Sequence, residues 1–225
     1  KDSEMKMALG WQIKDLIDYP LQKTVLDYFP APDSPGLGRM IYVVAADRDA
    51  VQEHIDLLHR ARLKISSIGI PELALRNIVR AEADSEAGLA LLHMERESGM
   101  VLIFKSGILY VARSLRSGLD HLLQAESRED AGGLLESEDR QSPVLESVLL
   151  DLQRTLDYFE RNFRSQPVGT LLLDPRLGDV PELQNHLQQN LDLSVHLLDV
   201  QHWLGEEVSY AEQGRFLLAL GNALN

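Results

Sequence analysis

Between Ala87 and Leu115 the chain sets three strand-length apolar runs almost end to end. They are Ala87 to Met94, Gly99 to Phe104 and Ile108 to Leu115. The last two are separated only by Lys105-Ser106-Gly107, a tight-turn sequence. Strands joined so briefly must run antiparallel, because a parallel pair needs a long crossover. An antiparallel meander is therefore fixed before any other element is placed.

Beyond the meander, helices and strands alternate. Gly118 to Gln124 reads as a short helix, then Glu126 to Arg140 gathers Glu126, Glu129, Asp130, Glu136, Glu138 and Asp139 around Gly132-Gly133. That stretch is expected to be a flexible acidic loop, bounded as 126–142. Val144 to Phe163 is a long amphipathic helix with Leu145, Val148, Leu149, Leu152, Leu156 and Phe159 on one face. Val168 to Leu173 is almost wholly apolar, as in a central parallel strand buried on both sides. Pro181 to Leu191 (helix), Ser194 to Leu198 (strand) and Tyr210 to Leu224 (helix, with Phe216, Leu217 and Leu220 inward) complete the pattern. The order β-β-β-α-β-α-β-α is a ribonuclease-H-like layout, a mixed sheet covered by helices.

The first 82 residues form a separate unit. Met5 to Ile17 is a helix, Val25 to Phe29 a short strand, and Pro30 to Gly38 a turn-rich loop. Met40 to Ala46 is a strand with the near-continuous apolar pattern of burial on both faces. Asp47 is placed to cap a helix over Arg48 to Ala61, with Val51, Ile55 and Leu58 as its stripe. A strand at Ile65 to Ile70 then leads into Pro71, at the first turn of a connecting helix. The expected organisation is an α-β-β-α-β unit with connecting helix over 1–82, and a ribonuclease-H-like domain over 83–225.

Charge and motifs remove several functions. Lys and Arg number 22 against 35 Asp and Glu, a formal charge of −13. Nucleic-acid binding needs clustered cations that displace counterions, so no nucleic-acid partner is expected. The absence of cysteine removes disulfides, thiolate metal sites and thiol catalysis. No stretch approaches the roughly 18 apolar residues of a spanning helix. A two-metal nuclease of this layout would need an acid on its first strand, and Leu89 to His93 has none. His54 and His59 are spaced off one helix face, and no HExxH occurs, so no metal site is expected. His196 and His202, with Glu206 and Glu207, read as surface residues, as do Asp157 and Glu160. There is no GxSxG, no GxxxxGK[ST], and Pro35-Gly36-Leu37-Gly38 precedes a strand instead of following one.

Several longer phrases then stand in order. "DLIDYPLQKTVLDYF" (Asp15 to Phe29) is a helix end, a proline and a "VLDY" strand. "YVVAADRDAVQEHIDLLHRARLKISSIGIPELALRNIV" (Tyr42 to Val79) is strand-helix-strand-helix. "FKSGILYVARSLRSGLDHLL" (Phe104 to Leu123) and "LLDLQRTLDYFERNF" (Leu149 to Phe163) carry a hairpin and the long helix. Together they resemble the PilM family of actin-like type IV pilus assembly proteins. The first unit is similar to the inserted subdomain (1C) shared with FtsA. Among the members, the phrases look closest to MshI of mannose-sensitive haemagglutinin (MSHA) pili. The GspL cytoplasmic domain is a more distant likeness.

The resemblance implies a fragment of a larger actin-like fold; the opening Lys1-Asp2-Ser3-Glu4, without an initiator Met, fits that expectation. It also implies where a nucleotide would sit, and there the sequence departs. The Asp-x-Gly of nucleotide-binding relatives falls on His93 and Glu95, and a Gly-rich turn falls on Asp174 and Pro175. Glu95 puts a side chain and a negative charge where phosphate would approach; Pro175 removes an N–H. The expectation is a non-catalytic scaffold with a degenerate site, no cofactor and no catalytic residue. The alternative is an active ATPase using ATP and Mg²⁺, its first phosphate loop lying N-terminal to Lys1. Implied partners are a PilN-like inner-membrane protein and the assembly motor ATPase. Tyr42 and Ile55 are candidate residues for docking the PilN-like partner. Implied location is the cytoplasm, peripheral to the bacterial inner membrane, and the long helix makes a homodimer a further expectation.

Overall fold

A computed structural model describes residues 2–35, 38–82, 88–131, 142–164 and 167–224. Two compact units emerge, Lys1–Ile68 and Gly69–Asn225. The helix expected to close the first unit is thus grouped with the second.

The first unit contains α1 (Asp2–Ile13), a 3₁₀ turn (Leu21–Lys23), β1 (Thr24–Pro30), β2 (Ile41–Asp47) and α2 (Arg48–Arg60). β1 and β2 are antiparallel, with Phe29 opposite Tyr42 and their rings stacked 5.1 Å apart. Asp47 caps α2 as its sequence position requires, its Oδ1 accepting from the N–H groups of Asp49 and Ala50. Two expectations fail here. β2 is not buried on both faces; it belongs to a two-stranded sheet and is half-buried. Ile65 to Ile70 joins no ladder among the described residues. Apolar patterning makes that segment strand-like, but a strand exists only where a neighbour takes its N–H and C=O groups.

The second unit runs α3 (Pro71–Glu82), β3 (Leu89–Met94), β4 (Gly99–Lys105), β5 (Ile108–Leu115), α4 (Leu119–Ala131), α5 (Pro143–Phe163), β6 (Thr170–Leu173), a 3₁₀ turn (Pro175–Asp179), α6 (Pro181–Asn190), β7 (Ser194–Leu197), α7 (Gln201–Leu204) and α8 (Tyr210–Ala223). The sheet order is β5-β4-β3-β6-β7. β3 pairs antiparallel with β4 and parallel with β6, which in turn pairs parallel with β7. The β4–β5 turn puts Ser106 and Gly107 at φ of 51° and 69°, the left-handed conformations a two-residue hairpin needs.

Every residue of β3 is buried, so both faces of the sheet are covered. Ala90, Leu92 and Met94 share a core with Val148, Leu152 and Phe159 of α5 and Leu183 and Leu187 of α6. Alternation turns Leu89, Leu91 and His93 to the opposite face. On the second unit's other helices, Leu75 and Ile78 of α3 and Leu217 of α8 are fully buried, and α3 packs on β4, β5 and α8. All six residues named for the α5 face are buried. Phe216 is not inward: it is 48% exposed, because Gln213, Gly214, Leu217 and Gly221 define the buried stripe of α8.

The first part of the expected acidic loop is helix. α4 continues through Glu126 to Ala131 before Gly132-Gly133, since Glu, Arg and Ala favour helix whatever their charge. Residues 132–141 of that loop lie outside the described residues.

Candidate functional site

β3 and β6 lie side by side and parallel, so their carboxyl ends open at the same edge of the sheet. Asp174 follows β6 directly, and its N–H donates to the Leu92 carbonyl at 2.8 Å, extending the ladder by one bond. That bond carries the Asp174 side chain to the end of β3. Pro175 then starts the 3₁₀ turn, with Asp174 Oδ1 accepting from the Arg176 N–H at 2.9 Å.

Three charged or ionisable side chains meet there. Asp174 is fully buried and His93 is 1% exposed. His93 Nδ1 lies 2.6 Å from Asp174 Oδ2. The Arg176 guanidinium grips the carboxylate through Nε at 3.0 Å and Nη2 at 2.7 Å. The Met94 N–H approaches Oδ2 at 3.3 Å. Five nitrogen atoms thus surround one carboxylate. Burial pushes its pKa up, but the hydrogen bonds and charges of His93 and Arg176 outweigh that and hold it below the ordinary carboxylate range. Asp174 is ionised, and its acceptor capacity is spent within the protein.

Gly214 of α8 makes room for this arrangement: a Cβ there would collide with the Arg176 stem. His93, Glu95 and Arg176 line an open cleft of about 680 Å³ with Arg96, Glu97, Ser98 and Arg215. The structure therefore brings together His93, Glu95 and Asp174, three of the positions singled out in the sequence. Pro175 is buried at the start of the turn beside them. Arg176 is a site residue that sequence reasoning missed. Its signal was present as the cation two places beyond a strand-terminal Asp, but only the parallel β3–β6 pairing shows that both meet His93.

The two partner candidates separate. Tyr42 stacks on Phe29. Ile55 instead lines an apolar groove of about 420 Å³ with Val51, Leu58, Ile65 and Ile68, and Tyr42 is not among its walls. Asp157 pairs with Arg161 on the exposed side of α5. Among the described residues no group of His, Asp or Glu is arranged to hold a metal, and no helix is long and apolar enough to cross a membrane.

No protein-family profile and no curated protein matches the sequence. Solved structures do match the fold. One is the PilM–PilN type IV pilus biogenesis complex, with TM-score 0.72 and 24% identity over 99% of this chain and 72% of that one. Another, from Bacteroides thetaiotaomicron, is a protein of actin-like ATPase fold and unknown function, with TM-score 0.50 and 12% identity over 86% of this chain and 60% of that one. The covered mixed sheet, its strand order and these two likenesses together make this a chain with the actin-like ATPase fold, spanning part of the length of each structure it resembles.

Proposed function

We propose that the chain is a non-catalytic scaffold of a type IV pilus biogenesis platform, of the MSHA type, whose nucleotide site is degenerate. The observation that supports this reading is the saturation of Asp174. A carboxylate already held by His93, Arg176 and two backbone N–H groups has no lone pair to spare for Mg²⁺ or for a water that serves it. Glu95 adds a negative charge to the same cleft. The MSHA assignment rests on the sequence phrases alone. Calorimetric titration of the full-length protein with MgATP tests the scaffold reading: the expected result is no heat up to millimolar nucleotide. Micromolar binding would instead overturn the scaffold-only reading and favour the ATPase alternative, with ATP and Mg²⁺ as its cofactors.

The scaffold would sit in the cytoplasm against the inner membrane, binding a PilN-like bitopic protein and, through the platform, the motor ATPase. The solved complex pairs PilM with PilN, and the apolar groove around Ile55 is the place we assign to the corresponding tail here. On the neighbouring face of α2, Glu53 and Asp56 stand beside Arg60, and Asp49 is paired with Lys23 at 2.6 Å; cations flanking the tail's apolar residues would meet Glu53 and Asp56. Ile55→Glu is expected to weaken capture of the partner's cytoplasmic segment by at least about tenfold, since it buries an unpaired charge on binding. Unchanged capture would remove the groove from the proposal while leaving the scaffold reading intact. A homodimer would use the solvent side of α5, where Leu150 and Tyr158 are exposed.

A further inference from the structure

One buried atom in the cleft has no partner. His93 Nε2 lacks a hydrogen bond among the described residues, although the ring is 1% exposed and lines the cleft. Nδ1 lies 2.6 Å from Asp174 Oδ2, whereas Arg176 Nη2, 3.5 Å away, is committed to the same carboxylate at 2.7 Å. An ionised carboxylate only accepts, so Nδ1 carries the proton of the neutral ring. That tautomer leaves Nε2 a buried lone pair, which is unfavourable until a donor reaches it.

The charges around it select the kind of donor. Arg96, Arg176 and Arg215 line the cleft, and each has a carboxylate beside it. Arg176 holds Asp174, and Arg96 pairs with Asp120 of α4 at 3.3 Å. Glu212 of α8, held ionised first by its hydrogen bonds with Ser209, also faces the charge of Arg215. Glu95 and Glu97 of the β3–β4 turn are left over. Neither of their side chains has an ion-pair or hydrogen-bond partner among the described residues. Arg116 and Asp179, the next charges along the neighbouring segments, do not line the cleft. Five carboxylates against three cations make the cleft negative, and an imidazolium would not reverse that sign. The turn that carries the two glutamates is held in place. The Glu95 N–H donates to the Ser98 carbonyl at 2.8 Å, and the Leu119 and Asp120 N–H groups of α4 donate to the carbonyls of Glu95 and Arg96 at 2.8 and 2.9 Å. A Cβ on Gly118 would strike the backbone of this turn, so glycine is what lets α4 approach it.

A ligand that carries positive charge and donates an N–H answers both conditions. A metal ion does not, since no group of His, Asp or Glu among the described residues is arranged to hold one. We propose that this cleft binds an ammonium or guanidinium group, which donates a hydrogen bond to His93 Nε2 and is neutralised by Glu95 and Glu97. The site rests on the cleft alone, and its failure would leave the pilus assignment standing.

The test titrates the ¹⁵N-labelled chain with methylguanidinium and methylammonium chloride, followed by NMR at constant ionic strength and at pH 8, where an imidazole is ordinarily neutral. Each ion should bind saturably and displace the other. Binding should move the Nε2 resonance of His93 and the amides of Glu95 to Ser98, while Nδ1 stays bonded to Asp174. Tetramethylammonium carries the charge but no N–H, and should bind at least about tenfold more weakly. Glu95→Gln and Glu97→Gln, both on an exposed turn, should each weaken binding about fivefold with unchanged thermal stability. Tighter binding of a capped lysyl or arginyl peptide than of the free ions would mean the group arrives on a polypeptide; equal or weaker binding would mean a free small amine or guanidine. An unmoved Nε2, tetramethylammonium or Mg²⁺ binding as tightly as methylguanidinium, or full affinity in both glutamate variants would each overturn the proposal.

Discussion

At the scale of single residues, the second unit is organised around one carboxylate. Asp174 ends β6, bonds to the end of β3 and holds an arginine that in turn rests on a glycine of α8. Removing one member of such a buried set leaves the others' charges uncompensated, so Asp174→Asn is expected to cost about 3–5 kcal/mol. The pH dependence has a definite sign. The folded-state pKa of Asp174 is lowered, so its contribution is complete above the unfolded value of about 3.9 and is lost as pH falls toward the folded value. Urea denaturation of the two proteins should show a constant stability gap from about pH 5 to neutrality, narrowing below about pH 4. A gap that instead widened on acidification would contradict the ionised assignment.

At the scale of elements, the helix α5 is the clearest case of patterning that fixes packing. Phe159 is fully buried and meets Tyr110 edge-on at 5.5 Å between ring centres. Phe159→Ala is expected to destabilise the protein by about 3–5 kcal/mol, read from the urea midpoint, because the cavity cannot close against a sheet. The three meander strands, α5 and the parallel β6 were legible because their apolar spacing and their neighbours agree. Strand 65–70 and the short helix at Gln201–Leu204 were not. The first has a strand's pattern without a partner; the second is one turn whose ends are set by the loop around it. Phe216 was misplaced for a related reason: a helix carrying Phe216, Leu217 and Leu220 has more apolar residues than one buried stripe can take.

At the scale of the whole molecule, the two units differ in how much they bury. Among the described residues of the first unit, Leu9 is the one buried apolar side chain, and α2 buries none of its residues. The second unit closes a core over both faces of a five-stranded sheet. Backbone amides of β1, β2 and α2 should therefore exchange with solvent by local opening well before those of β3, β4 and β6. Equal protection across the two units would show that the first has stability its own packing does not explain. Addition of a partner that fills the groove around Ile55 should slow exchange in α2 selectively.

The sequence by itself determined the meander, the helix faces and the covered parallel strand, because period-2 and period-3.6 patterns act locally and need only a nearby surface to bury against. It also singled out His93, Glu95, Asp174 and Pro175, but as a set of departures from a family pattern. Only the tertiary structure decided what they do together. His93 and Asp174 lie far apart in the chain, and the parallel register that brings their side chains within 2.6 Å is a property of the sheet, not of either segment. Arg176 acquires its role from that same register, which turns an ordinary surface cation into the counter-charge of a buried carboxylate.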